Sequence, residues 1–472
     1  MYRTIHALLE KSDCRYNPSG PTIGEIEALA AGIRERFREC GAPADEPVCL
    51  CVGDRSNLLA ALLASLAGAP PFILPHAFHP QVLEEVHGAH PFRLILADTA
   101  VEPPEGAAVI GIEECHPSQG LLKLVRPPDQ AFLSLFTGGS TGKPRIWSKT
   151  PANLFGEALH LATTFGIGKS DLILPTVPPQ HIYGLLFSVL LPFVASARVL
   201  GRTCTFPQEI LSALRNEGAT VLVGVPIHYR ALRAGGIRRF SLRLAFSSAA
   251  PLDGEDAAFF REQTGLAITE VYGSTETGGM ATRTSGKNHG SWEPFACIDW
   301  KILSGHLCVR SAFVSPDLPR DAGGFFMTAD RVARAGEKGF MLRGRADHIV
   351  KVAGKRVDLE GIREKIRRIP GVMDAYITAV PLKRARQVEI AALVASDLPA
   401  RHLRAAIRSL DDSAGRPRRI RIVGTLPILP NGKIDRERVD QLLSAPHPAK
   451  SAAPPAGEPP SQVLPLREDR EG

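Results

Sequence analysis

The sequence predicts an α/β protein. A large N-terminal domain of parallel or mixed sheets flanked by helices (1–343) precedes a small mobile α+β C-terminal domain (344–443) and a disordered tail (444–472). Three observations carry this. At 472 residues the chain exceeds one ordinary core, since a domain takes about 100–200 residues. Short apolar runs alternate with amphipathic ones through the first three hundred residues, the pattern of a parallel sheet with helices on its faces. Past Gly305 the texture changes to short strands and turns, and past Gly344 to a basic α+β mixture.

The elements follow in chain order. Thr22 with Glu25 forms a capping box that opens an amphipathic helix, Ile23 to Phe37. Pro47 to Val52 reads as a buried strand, Leu58 to Leu66 as a helix rich in Ala and Leu, Pro71 to Pro75 as a strand and Arg93 to Ala97 as a third. Further strands are expected at Ala131–Phe136, Leu172–Thr176, Val221–Val225 and Leu242–Phe246. In the small domain a helix is expected at Leu359–Arg368 and strands at Ala375–Val380 and Glu389–Val394. The last 29 residues hold seven prolines and few large apolar residues, a composition that cannot build a core.

Composition narrows the function. With 44% hydrophobic and 22% charged residues the chain is globular. The longest apolar run, Gly184 to Ala197, is broken by Ser188, Pro192 and Ser196. It falls short of the ~18 residues of a membrane span, so none is expected. No apolar signal core follows Met1, and a cytoplasmic location is expected. Eight cysteines without CxxC spacing argue for free thiols rather than a disulfide framework or a zinc site. From Arg331 to Val439 there are 25 Lys/Arg against 12 Asp/Glu, while the whole chain carries only +7. A basic C-terminal part points to an anionic ligand. No nucleic-acid-binding signature accompanies the charge, so nucleic acid is not expected.

Four motifs carry chemistry. In Thr137-Gly138-Gly139-Ser140-Thr141-Gly142-Lys143-Pro144 a buried strand runs into glycines, hydroxyls and a lysine. Such a nest of N–H groups suits phosphate oxygens. It is no Walker A loop: one residue is missing between Gly138 and Gly142, and Pro144 replaces the Mg²⁺-binding hydroxyl. An ordinary Gly/Ser turn is the alternative. The second motif is Tyr272-Gly273-Ser274-Thr275-Glu276, in which the tyrosine can stack on a base and the glutamate can hold a hard cation. The third joins Thr328-Ala329-Asp330, Gly344-Arg345-Ala346-Asp347 and Val352-Ala353-Gly354, with Asp330 suited to ribose hydroxyls. The fourth, Asn431-Gly432-Lys433, is a tight turn that presents a lysine.

Together, from about Pro47 to Leu443, these motifs resemble the adenylate-forming superfamily: acyl- and aryl-CoA synthetases, peptide-synthetase adenylation domains and luciferases. The resemblance implies ATP, Mg²⁺ and CoA as co-substrates and cofactor. It makes Thr137 to Lys143 the phosphate loop. Pro178-Pro179-Gln180-His181-Ile182-Tyr183-Gly184 becomes the substrate-side histidine segment, with His181, Tyr183 and Gly184 on the acid pocket. Ser248, Ala249 and Ala250 flank the adenine with Tyr272, Gly273 and Thr275. Glu276 is Mg²⁺-associated, and Asp330 and Arg345 hold the ribose. Asp347 is the hinge, Gly354 lines the thiol tunnel, and Lys433 is the catalytic lysine. Two departures stand out. Ala329 replaces the usual glycine, and Gly361 and Arg363 replace an acidic pair.

The implied reaction activates a carboxylic acid as acyl-AMP and passes it to a thiol. Leu185 to Leu200 holds no acidic residue to pair an α-ammonium, so an uncharged aryl or fatty acid is favoured over an amino acid. The acceptor is expected to be CoA, with the phosphopantetheine of an acyl carrier protein as the alternative. A non-catalytic nucleotide-binding module is a second alternative, opposed by Lys433 and Glu276.

Overall fold

The structure is a computed structural model that describes residues 1–118, 122–137, 145–286, 290–345, 349–352, 355–381, 388–409, 416–429 and 434–444. The loop from Gly138 to Lys143, Asp347, Gly354, Lys433 and the expected tail beyond Ser444 lie outside the described residues.

Two large sheets form the N-terminal part. The first has six strands in the order Ala108–Gly111, Leu94–Ala97, Val48–Cys51, Phe72–Leu74, Leu133–Thr137, Arg145–Lys149. All its pairs are parallel except the last, in which Thr137 faces Arg145. The second has seven strands. Parallel strands Thr269–Ser274, Leu244–Ser247, Val221–Gly224, Leu172–Pro175 and Arg198–Val199 are extended by antiparallel Gly278–Thr284 and Glu293–Pro294. The parallel strands are short and buried on both faces, which is why they read as continuous apolar runs.

One continuous core joins the facing sides of both sheets through the helices Arg55–Leu66, Pro151–Phe165 and the helical run from Ile182 to Ala195. In the first of these all residues but Asn57 are buried. The apolar run Gly184–Ala197 is thus a core helix, opened into a wide π turn at Leu186–Leu190. A second cluster packs Pro207–Asn216, Pro226–Leu232 and Gly254–Thr264 on the other face of the seven-stranded sheet. Cys49 and Cys51 point to a separate cluster behind the six-stranded sheet, and all eight cysteines are free thiols.

An antiparallel sheet of Asp299–Leu303, His306–Arg310, Phe326–Ala335 and Gly339–Arg345 follows, beginning just ahead of the expected change of texture. The C-terminal part pairs Ile349–Val352 with Lys355–Asp358. It then builds a three-stranded sheet from Val372–Pro381, Val388–Ser396 and Arg419–Val423. Helices Leu359–Arg367 and Ala400–Arg408 cover one face of that sheet, and Arg436–Ser444 covers the other. The expected elements are present with ends moved by a few residues. The helix expected from Leu58 starts at Arg55, because Asp54 caps it by accepting from the N–H groups of Ser56 and Asn57. Thr22 and Glu25 form the expected capping box. No helix among the described residues is long and apolar enough to cross a membrane.

Candidate nucleotide and acid site

Tyr272, the Ser248–Ala250 loop and the His181 segment sit at or just beyond the C-terminal ends of parallel strands of the seven-stranded sheet, where ligands bind in open α/β sheets. Strand Thr269–Ser274 delivers Tyr272. Its ring lies 5.2 Å from that of Trp292 and 5.9 Å from that of Phe340. A register shift at Tyr272/Gly273 ends regular pairing there. A Cβ at Gly273 would overlap the Gly278 carbonyl oxygen, so only glycine lets the two strands approach so closely. The turn beyond is tied by Ser274 and Thr277, whose hydroxyls lie 2.9 Å apart, and Gly278 takes a φ of +67°. Thr275 is buried and Glu276 half-buried. The Glu276 carbonyl accepts the Ser315 N–H at 2.8 Å.

Asp330 and Arg345 face each other across the strands Phe326–Ala335 and Gly339–Arg345. Arg345 Nη1 donates to Asp330 Oδ1 at 3.2 Å, and Asp330 is 8% exposed. The Asp330 N–H donates to Thr328 Oγ1 at 3.1 Å. Ala329 carries no positive φ, so its methyl is accommodated where the resemblance expects glycine. Burial pushes the Tyr272 phenol far above its ordinary value, with the Asp330 carboxylate adding to the shift. Tyr272, Asp330 and Arg345 therefore form one cluster although 73 residues separate the first from the last.

Strand Leu244–Ser247 leads into Ser248, Ala249 and Ala250. The Ser248 hydroxyl donates to the Val271 carbonyl at 2.8 Å, which fixes this loop beside the Tyr272 strand. Ala249 is exposed at φ +72°, a left-handed conformation that costs a non-glycine residue on the order of 1 kcal/mol.

His181 caps the short helix Ile182–Leu185, and its side chain is half-buried. A Cβ at Gly184 would overlap the Pro178 carbonyl oxygen, so Pro178 to Gly184 closes on itself. Tyr183 packs on Phe187 with ring centroids 4.9 Å apart. Its hydroxyl is buried without a hydrogen-bond partner among the described residues, and burial raises its phenol well above the ordinary value. Beneath the segment, Arg55 Nε donates to Ser188 Oγ at 3.0 Å, and the Ser188 hydroxyl donates to the Gly184 carbonyl at 2.7 Å. Arg55 also reaches the Gly201 and Val177 carbonyls and Thr203 Oγ1. Burial lowers its guanidinium to about 10.

Thr137 ends the strand that enters the glycine-rich loop, and Arg145–Lys149 is the strand that leaves it. Lys149 and Glu157, next along the chain, were not singled out by the sequence reading, yet both are buried behind Glu276. Burial pushes the Lys149 ammonium down and the Glu157 carboxyl up, each opposed by the other's charge. Among the described residues no three His, Cys, Asp or Glu side chains gather as a metal cage.

The family model for AMP-binding enzymes matches residues 21–310. The chain belongs to the AMP-binding enzyme family. It is 27% identical over 340 residues to a sulfoacetate–CoA ligase of Cupriavidus necator, covering 66% of each chain. It is 25% identical over 351 residues to a mitochondrial acyl-coenzyme A synthetase of Rattus norvegicus, covering 64% of this chain and 60% of that one. The chain thus spans just under two thirds of the length of these AMP-binding relatives. Its fold matches O-succinylbenzoate coenzyme A synthetase of Bacillus subtilis in complex with ATP and magnesium. The TM-score is 0.78 at 17% identity, covering 93% of this chain and 99% of that one.

Proposed function

We propose that the protein activates an aryl or fatty carboxylic acid with ATP, forming acyl-AMP and pyrophosphate, and then transfers the acyl group to the thiol of coenzyme A with release of AMP. The observation that carries this reading is the cluster of Tyr272, Asp330 and Arg345 beside the Glu276 turn and the Ser248–Ala250 loop. Asp330 suits the ribose hydroxyls, and the aromatic group of Tyr272, Trp292 and Phe340 suits the base. The acid lies against His181, Tyr183 and Gly184 in this reading. Tyr183 offers the only side-chain hydroxyl of that trio, and no acidic side chain lines the run that follows. Coenzyme A is favoured over a carrier protein because the two relatives above are named a CoA ligase and an acyl-coenzyme A synthetase. A cytoplasmic site of action fits eight free thiols.

Adenylation requires two anions, the carboxylate and the α-phosphate, to approach closely. Positive charge and aimed N–H groups in a site cleared of water offset their repulsion. The glycine-rich loop and Lys433 supply these groups in this reading, and Asp330 with Arg345 fixes the nucleotide so that positioning does the rest. Glu276 fits Mg²⁺: it is a half-buried carboxylate with no cage of metal-binding side chains around it among the described residues, and Mg²⁺ typically takes one or two carboxylates and completes its shell with phosphates and water. Mg²⁺ held there would neutralise phosphate charge. For the second step Lys433 withdraws as the C-terminal domain turns about Asp347, which brings Gly354 toward the thiol path.

The test is a panel of aryl and fatty acids assayed for pyrophosphate release, first alone and then with CoA or a carrier protein. The reading expects acid-dependent pyrophosphate and, with CoA, a thioester and AMP. Pyrophosphate release that no acid stimulates would overturn it.

A further inference from the structure

Lys149 and Glu157 are buried charged residues to which the reaction as described gives no role. Lys149 ends the strand that leaves the glycine-rich loop and is 1% exposed. Its Nζ donates to the Phe313 carbonyl at 3.3 Å. The carboxylates whose charge it feels are Glu157, Glu276 and Asp317. Glu157 lies two turns into the next helix, Pro151–Phe165, and is 2% exposed. Its Oε1 accepts the Gly279 N–H at 2.7 Å. A Cβ at Gly278 or Gly279 would press on that carboxylate, so it fills the bend that follows Glu276.

The other flank of Glu276 is held from the same corner. Asn153 Nδ2 donates to the Ala312 carbonyl at 2.6 Å, and the Ser148 N–H donates to Asp317 Oδ2 at 3.0 Å. With the Lys149 bond to Phe313, these grip the segment from Ala312 to Asp317. That segment in turn donates the Ser315 N–H to the Glu276 carbonyl. Beyond the turn's own Ser274–Thr277 bonds, these grips on its two flanks start from residues 148–157, at and just after the end of the strand that leaves the glycine-rich loop. Burying such charges is costly, and fold stability alone would be served as well by apolar side chains.

We propose that Lys149 and Glu157 are positioning residues: a buried charge couple that holds the Glu276 turn at a fixed spacing from the phosphate-loop strand, so that the nucleotide phosphates and their divalent cation are bound together. The proposal rests on the reading of Glu276 as the cation-associated carboxylate. ATP binding to the full chain is measured by calorimetry, once with Mg²⁺ and once with EDTA. The variants are Lys149→Met, Lys149→Met/Glu157→Gln and Glu276→Gln. The double variant leaves no unpaired charge inside and keeps an oxygen for the Gly279 N–H, so it carries the test if the single variant does not fold. The expected result is that the Mg²⁺-dependent gain in ATP affinity falls by about tenfold or more in each variant. Affinity in EDTA should stay within about twofold, a selectivity that general loss of packing would not produce. If Glu276→Gln loses the gain while the folded Lys149 variants keep it, the positioning role is wrong and the Glu276 reading stands. If Glu276→Gln keeps the gain, both fall.

Discussion

Asp330 has been stripped of most of its water before any nucleotide arrives, and Arg345 is its partner. A carboxylate so held loses little freedom on binding ribose, and its bonds are charge-assisted. Asp330→Ala should weaken ATP binding by about 1.5–3 kcal/mol, roughly 10- to 150-fold. Calorimetric titration checks this, and unchanged affinity would remove Asp330 from the site. His228 gives a second prediction at this scale. It is buried, with Nδ1 2.6 Å from Thr176 Oγ1 and the Val225 N–H aimed at the same nitrogen. Burial lowers it from 6.5 to about 4. The folded chain therefore resists a proton that the unfolded chain accepts. The stability this neutral ring contributes is complete above pH 6.5 and is lost as pH falls from 6.5 toward 4, by an amount on the order of 3 kcal/mol. His228→Asn should flatten the pH dependence of unfolding midpoints across that window. An unaltered slope would mean that another group titrates there.

At the scale of elements, the segment proposed to take the acid is held by a close approach. Gly184 opens the buried run after His181, and an alanine methyl would meet the Pro178 backbone, which cannot swing aside like a side chain. Gly184→Ala should cost about 1–3 kcal/mol of stability and move His181 and Tyr183 together. The Michaelis constant for the acid should rise while ATP affinity holds. Equal losses for both substrates would indicate general unfolding. The parallel strands of the seven-stranded sheet were legible in the sequence because strands buried on both faces leave plain apolar runs, as Val221 to Gly224 does. Tyr272, Asp330 and Arg345 were legible only as motifs, and their meeting depends on two hairpin-like pairings far apart in the chain. Arg55, Lys149 and Glu157 left no local signal. Each looks like an ordinary charged residue, and the partners that justify burying Arg55 come from residues 177–203. Arg363, which stands where the resemblance expects an acidic residue, pairs with Glu360 at 3.0 Å and Asp374 at 3.2 Å.

At the scale of the molecule, the basic C-terminal part rests on the larger one through an ion pair. Arg367 Nη2 donates to Asp253 Oδ2 at 2.8 Å, and Asp253 caps the helix that follows the Ser248–Ala250 loop. Both groups are partly exposed, and such pairs contribute at most about 1 kcal/mol, so this one would not resist the rotation proposed above. On either side of Lys433, Ile428 and Ile434 bridge antiparallel, and the Asp435 N–H donates to the Pro427 carbonyl at 3.0 Å. If Lys433 is the cation that joins carboxylate to α-phosphate, it matters only while those anions are being brought together. Once acyl-AMP exists the repulsion is overcome, and thiol attack proceeds with the lysine turned away. Lys433→Ala should lower acyl-AMP formation by two to three powers of ten, the scale for removing one aimed electrostatic group. Thioester formation from supplied acyl-AMP should stay near the wild-type rate. Both half-reactions belong on one preparation whose melting temperature matches the wild type. Adenylation that survives the substitution, or a parallel fall in both steps, would take Lys433 out of this role and leave the rotation without its main support.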